Sequence, residues 1–393
     1  MKFRIALASL LFVTLGVIAD AEAAHPIVIG EINPRTGVLA LMGTAVHQGI
    51  LMAIEEGNAR GGVAGHPLLL LSRDDEGRPE RAIAAAEELV SRQGAVALVG
   101  GYVDRLVGPI SEVAQRSGIP YLATASLDER LTQGDNRYFF RISSLAAFVN
   151  ATTGVVLEEL GAKDVAIFHS STPGASQLTL RQRETFEAAG VRVSVVTEFS
   201  PGLSDFTPLL AHVRDQGTDV LLSNTFFRDH LLLVRQMAQA DIRVKAFLGT
   251  FGMEFPRVIA QLGAESEGLF GTTSWQPGVN LGANRRESLA FIEGFTKQFG
   301  RKPVPLTMHG YAAAKTLLDA LERAMASGNP LTGDLLRDAL ASADVQTPLG
   351  RVKFDGRGNP LFYERVVVQI QGGKHVVVYP KHRATAPVRY PAR

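Results

Sequence analysis

The chain has no cysteine among its 393 residues and only one tryptophan. Without thiols there is no disulfide framework and no zinc site built on cysteine, so a folded chain of this length must rest on its own core. Charge is also sparse. Charged residues make up 20% of the chain and the formal net charge is +1, with acids and bases mixed along it. That excludes the concentrated basic face on which nucleic-acid binding depends. Nucleotide and hydrolase signatures are missing as well: no glycine-rich loop ends in Lys-Ser/Thr, no GxGxxG follows the first predicted strand, and no GxSxG elbow occurs. His169, His212 and His230 lack metal-ligand spacing, and His309, at the start of a predicted helix, reads as a packing residue. Asp74-Asp75-Glu76 stands at a predicted strand end beside Arg73 and Arg78, where loop shaping or helix capping is the better reading than paired catalytic carboxylates. No catalytic residue, metal or cofactor is predicted, and the chain does not read as an enzyme.

Residues 1–23 stand apart. Lys2 and Arg4 begin a basic start, Ile5 to Ala19 is an apolar run broken only by Ser9, Thr14 and Gly16, and Ala21-Glu22-Ala23 offers the small-x-small pattern of a signal-peptide cleavage site. The run is shorter than the roughly 20 residues a membrane span needs, which leaves an N-terminal anchor as the alternative. Cleavage is predicted after Ala23. No other segment reads as long and apolar enough to span. With no cysteine at the cleavage site a lipoprotein is not expected, so the mature chain is predicted to be free in the periplasm.

Hydrophobic residues make up 46% of the chain, and the length points to two domains. Short, mostly continuous apolar runs (27–32, 66–71, 95–99, 120–124) alternate with amphipathic stretches (46–58, 79–93, 106–117). Continuous runs are what strands buried on both faces of a parallel sheet look like, and the alternation predicts βαβ units. The pattern restarts with strands at 164–168, 191–198, 219–223 and 245–248, separated by helices at 176–189, 207–216 and 229–240, after a first helix at 148–160. Long helices follow at 286–299 and 310–327. Two antiparallel strands, 362–371 and 375–379, turn at Gly372-Gly373. Residues 381–393, basic and proline-containing, read as a frayed tail.

Several short motifs follow one another along the chain: Gly30 to Gly43, Asn58-Ala59-Arg60-Gly61-Gly62-Val63-Ala64-Gly65, Arg73-Asp74-Asp75 with Pro79, Ile119-Pro120-Tyr121 with Leu131-Thr132, Gly161 to Phe168, Glu267-Gly268-Leu269 and Tyr311-Ala312-Ala313. In this order they resemble the leucine/isoleucine/valine-binding proteins, the type I periplasmic binding proteins of branched-chain amino-acid ABC transporters. The resemblance covers nearly the whole mature chain. It implies an α/β fold of two Rossmann-like lobes with open, mostly parallel sheets and a three-crossover hinge: lobe I at 25–144 plus 275–355, lobe II at 145–274 plus 356–380. Ligands of such sheets bind beyond the carboxyl ends of the strands. A monomer that captures a small molecule and hands it to ABC permease subunits is the implied function. A periplasmic sensor that signals to a separate receptor or kinase is the alternative.

Carried over residue by residue, the resemblance implies a pocket of Met42, Tyr102, Asp104, Arg105, Ala125, Ser126, Leu127, Phe226 and Phe251. Met42 falls where the family often has an aromatic wall. Tyr102-Val103-Asp104-Arg105 replaces a serine-rich stretch that holds the ligand carboxylate, and Thr124-Ala125-Ser126-Leu127 follows the fourth strand. Phe226 falls on a pocket tyrosine, and Phe251 on the acid that usually pairs with the ligand ammonium. Asp104 is the candidate to replace that acid, and Arg105 to take a carboxylate bidentately. Tyr102, Phe226 and Phe251 suggest a flat apolar wall. The expected ligand is a small organic acid or aromatic compound rather than leucine, isoleucine or valine. The other reading is that these aromatics are ordinary core residues.

Overall fold

The computed structural model describes residues 25–282 and 284–391; the leader expected at 1–23 lies outside them. The first series is β1 (Ile27–Asn33), α1 (Ala40–Ala59), β2 (Leu68–Asp74), α2 (Pro79–Ser91), β3 (Ala97–Tyr102), α3 (Asp104–Ser117), β4 (Tyr121–Ala125) and β5 (Phe139–Arg141). These strands form a five-stranded parallel sheet in the order β2-β1-β3-β4-β5. β3 is buried along its whole length, as a strand covered by helices on both faces must be.

The second series is α4 (Leu145–Gly154), β6 (Asp164–Ser170), α5 (Pro173–Ala188), β7 (Arg192–Phe199), α6 (Thr207–Gln216), β8 (Val220–Asn224), α7 (Phe227–Gln239), β9 (Ala246–Gly249), α8 (Pro256–Leu262) and β10 (Phe270–Thr273). The chain then returns to the first lobe with α9 (Arg285–Phe299), α10 (Pro305–Ala326), α11 (Gly333–Ala341) and a hairpin of β11 (Asp344–Thr347) and β12 (Gly350–Lys353). Last come β13 (Val366–Gln371) and β14 (Lys374–Tyr379), which add antiparallel to the second sheet and give the order β14-β13-β10-β9-β8-β6-β7. The result is two α/β lobes with mostly parallel sheets. The chain passes between them after β5, after β10 and after β12.

The main core of lobe I lies between its sheet and the pair α1 and α10, joining Ile29, Val46, Ile50, Met308, Leu317 and Phe291. The two helices cross with their backbones almost touching. A Cβ on Gly49 would stand 1.9 Å from the Thr307 carbonyl oxygen, and one on Gly310 would stand 2.3 Å from that of Val46. Only glycine leaves room for this approach. Residues 37–59 are also long and apolar enough to cross a membrane, which corrects the expectation that no segment beyond the leader is; half of that stretch is buried inside the protein, as in a core helix.

Other departures are local. α1 begins at Ala40 rather than Val46, and β2 begins two residues later than expected. β5, α8, β10, α11 and the β11–β12 hairpin have no counterpart in the sequence reading; most of them are short. The expected strand from Phe362 starts only at Val366, because Tyr363 and Arg365 turn toward the cleft. The described part of the tail expected to fray, up to residue 391, is bonded back onto lobe II. Thr385 N–H donates to Val377 O at 2.8 Å, Arg389 N–H to Gln369 Oε1 at 3.0 Å, and Val388 and Tyr390 pack on the lobe II core.

Candidate functional site

Between the lobes, at the carboxyl ends of β3, β4, β8 and β9, lies a cavity of about 90 Å³, small enough to call for a compact ligand. Its shape depends on the end of β3. Gly100 and Gly101 have φ of 112° and 90°, and a Cβ on Gly101 would stand 2.2 Å from Tyr121 Oη. Gly101 N–H donates to Asn33 Oδ1 at 2.9 Å, and Asn33 in turn donates to the buried Glu31 at 2.6 Å. Val103 follows at φ 70°, an unusual conformation for a β-branched residue. Such strain persists only where the surroundings hold it. Here it starts α3 with Asp104 turned into the cleft.

The Asp104 carboxylate is saturated with donors from both lobes. Oδ1 accepts from Ser126 Oγ at 2.7 Å, Leu127 N–H at 2.8 Å and Asp128 N–H at 2.9 Å. Oδ2 accepts from Gly174 N–H at 3.0 Å, in the first turn of α5. The donors on the lobe I side come from the loop after β4, and the fourth from a helix N-terminus, which favours an anion. Beside this contact Gln177 donates to Asp128 Oδ1 at 2.9 Å and accepts from Glu129 N–H at 2.8 Å, so α5 grips the same loop twice more.

The cavity wall is an arc of aromatic rings drawn from both lobes. Tyr102 meets Phe226 edge-on with centroids 6.3 Å apart, Phe226 stacks on Phe251 at 5.6 Å and 29°, and Phe251 meets Phe148 edge-on at 5.3 Å. The guanidinium of Arg365 lies 3.7 Å from the Phe148 ring centre, a cation–π contact that closes the arc.

The floor is polar. Arg365 donates to Thr272 O at 2.6 Å, to Thr272 Oγ1 and to Tyr363 Oη at 2.8 Å. His309 Nδ1 faces Thr124 O at 3.3 Å, while its Nε2 is 2.9 Å from Ser274 Oγ and 3.3 Å from Tyr363 Oη. A carbonyl can only accept, so Nδ1 carries the proton and Nε2 accepts. Burial, with the Arg365 charge beside it, pushes the His309 pKa down to about 3 and keeps the ring neutral. Glu254 also lines the cavity, 6% exposed, with Oε2 accepting from Gly252 N–H at 2.9 Å. Burial raises its carboxyl pKa to about 7, against the opposing pull of Arg365.

Of the residues named from the sequence, Tyr102, Asp104, Ala125, Ser126, Leu127, Phe226 and Phe251 line this cavity. Met42 and Arg105 do not. They face an outer recess toward solvent, which Tyr102 and Phe226 separate from the cavity. Arg105 is exposed and points away because α3 turns its second residue outward, so it is not placed to take a carboxylate inside. Asp104 is placed, but its oxygens are already occupied. Phe251 itself stands in the cavity wall, and an acid, Glu254, lines the cavity three residues on, after Gly252 at φ 101°. Phe148, Ser143, Glu254, His309 and Arg365 went unnamed in the sequence reading of the pocket. The run Phe251-Gly252-Met253-Glu254 carries a readable hint; Arg365, far along the chain, carries none. Among the described residues no three histidine, aspartate or glutamate side chains gather as a metal site would need.

Known proteins share this architecture. A curated relative from Brucella suis biovar 1, named Leu/Ile/Val-binding protein homolog 8, is 26% identical over 98% of both chains. A leucine binding protein from Thermotoga maritima superposes with a TM-score of 0.80 at 23% identity, covering 89% of this chain and 97% of its own. A solute binding protein of an ABC transporter from R. palustris, solved with benzoate, superposes at 0.77 with 19% identity, covering 90% of this chain and 95% of its own. At those identities the structures speak for the fold alone. The family model described as periplasmic binding protein matches residues 26–374, nearly the whole two-lobed body, and the chain belongs to that family.

Proposed function

We propose that this chain is the extracytoplasmic solute-binding subunit of an ABC importer, and that its cargo is a compact molecule with a flat apolar body. After removal of the leader it works in the periplasm as a monomer, capturing the ligand between its lobes and delivering it to permease subunits. The observation that carries the ligand class is the arc Tyr102–Phe226–Phe251–Phe148, four rings from two lobes around a cavity of about 90 Å³. Rings set edge-on and stacked offer faces and edges to a further ring, worth about 0.5–1.5 kcal/mol per contact beyond area burial. The rings also pack into the surrounding cores, but their inner faces bound open space. The R. palustris protein held benzoate, which supports a cargo with an aromatic body; the leucine and isoleucine binders of the same fold supply the competing ligands. A ligand touching both lobes favours the closed state by its differential contacts.

The test is a thermal-shift and calorimetric comparison of leucine, isoleucine and a panel of benzene derivatives, run beside mass spectrometry of whatever co-purifies. The expected outcome is stabilisation by aromatic compounds and little by the aliphatic amino acids. Tight binding of leucine with no heat from any aromatic compound would overturn the reading.

A further inference from the structure

Four hydrogen-bond donors in the cleft are arranged as they would be for a ligand's carboxylate: Ser126 Oγ–H, the N–H groups of Leu127 and Asp128, and Gly174 N–H in the first turn of α5. Three come from one lobe and one from the other, so an anion held by all four ties the lobes together. All four already point at the side chain of Asp104. The fit leaves no slack, since a Cβ on Gly174 would stand 2.2 Å from Asp104 Oδ2 and 3.0 Å from Leu127 Cβ.

The rest of the lining offers a second carboxylate nothing better. Among the described residues Arg365 is the only arginine or lysine lining the cavity, and its guanidinium is committed to Thr272, Tyr363 and the Phe148 face. His309 presents Nε2 as an acceptor already filled by hydroxyls. Glu254 adds another acid, and no hydrogen bond reaches its Oε1 among the described residues, although it is 6% exposed. An organic anion entering here meets two carboxyl groups and one engaged cation, and a buried charge without a partner is costly. A ligand that donates a hydrogen bond finds an open acceptor.

We propose that Asp104 stands in permanently for a ligand carboxylate, and that the cavity therefore selects an aromatic molecule whose polar end donates hydrogen bonds and carries no carboxylate. The aromatic half of this statement rests on the function proposed above; the role of Asp104 does not.

The experiment separates the two. Benzamide, benzyl alcohol and benzoate are compared as probes on the full mature chain by thermal shift and calorimetry. The wild type is expected to bind benzamide or benzyl alcohol at least tenfold more tightly than benzoate. Asp104→Ala empties the four-donor nest by one carboxylate, the size of formate. Its melting temperature is expected to fall and to recover in formate, but not in chloride at equal ionic strength, and its benzoate-to-benzamide preference to rise at least tenfold. If Asp104→Ala does not fold on its own, refolding yield in formate against chloride gives the same reading. Tenfold preference of the wild type for benzoate overturns the proposal. So does a failure of formate to restore either melting temperature or refolding yield. If none of the aromatic probes binds the wild type, the aromatic ligand class fails, and the formate response still decides the role of Asp104.

Discussion

At the scale of single residues, the cavity contains two carboxyl groups whose surroundings give them different work. Asp104 is wrapped in donors and joins the lobes, whereas Glu254 has one donor and is pushed up to about 7 by burial. Its folded pKa is raised above the ordinary 4.5, so between those values the folded protein holds a proton that the unfolded chain has released. Stability from this group is full below about pH 4.5 and is lost as pH rises through 7. His309 and His230 act in the opposite sense. Burial lowers their pKa values to about 3 and about 4, so their stability is full above pH 6.5 and is lost as pH falls. Glu254→Gln should therefore flatten the decline between pH 5 and 7, while the acid-side loss remains. The expected change is up to about 3 kcal/mol from a shift of this size, read by urea unfolding at both pH values. An unchanged pH profile would show that Glu254 is not held in this way. The position of Asp104 at the cleft was readable from the sequence, but its saturation was not. That depends on Gly174, 70 residues further along and on the other lobe.

Among the elements, those that position the cleft are helices held at unusually close range. α1 and α10 touch backbone to backbone at Gly49 and Gly310. Gly49→Ala should cost about 3 kcal/mol, since a methyl there drives into a carbonyl that cannot move without its helix. Gly57→Ala, on the same helix, is the control. Its Cβ meets only Leu68 and Leu318 methyl groups, at 2.8 and 3.1 Å, and a helix-propensity gain of about 1 kcal/mol offsets the crowding. Equal losses for the two variants, by thermal or urea unfolding, would contradict the close crossing. On α5, Gly174, Gln177 and Arg181 fall on one face against the loop after β4. Gln177→Ala removes two interlobe bonds and should raise the radius of gyration in small-angle X-ray scattering. Arg181→Ala removes a solvent-exposed pair with Glu129 and should not. The alternation of these elements was legible because strands buried on both faces must be apolar throughout and their helices amphipathic. β5 was not, since three residues, Phe139–Arg141, carry too little pattern to read. β13 was misjudged at its start because side-chain bonds to the cleft floor, rather than strand propensity, decide where Tyr363 and Arg365 point.

Considered as a whole molecule, the lobes are interleaved along the chain, with the segment from α4 to β10 inserted into lobe I. They also share a small apolar cluster in which Leu127 of lobe I packs with Leu145, Phe148, Val149 and Leu178 of lobe II. The lobes are thus tied by three crossovers and by this cluster, although each also has a main core of its own. Scanning calorimetry should therefore show one unfolding transition with equal calorimetric and van't Hoff enthalpies; two resolved transitions would mean that the shared cluster contributes little. The two-lobed plan was legible from the restart of the βα pattern after residue 145. The contents of the cleft were less so, because its floor is assembled from His309, Ser274 and Arg365 on segments that only the fold brings together.

Tyr102 and Phe226 line both the inner cavity and the outer recess, forming a partition of two rings set edge to face. One ring belongs to each lobe. A molecule leaving by way of that recess has to pass between a ring of one lobe and a ring of the other. Residence time is then a property of the doorway rather than of the occupant. Molecules held with different strengths by the inner rings would share a ceiling on their escape rate, set by how often the two rings separate.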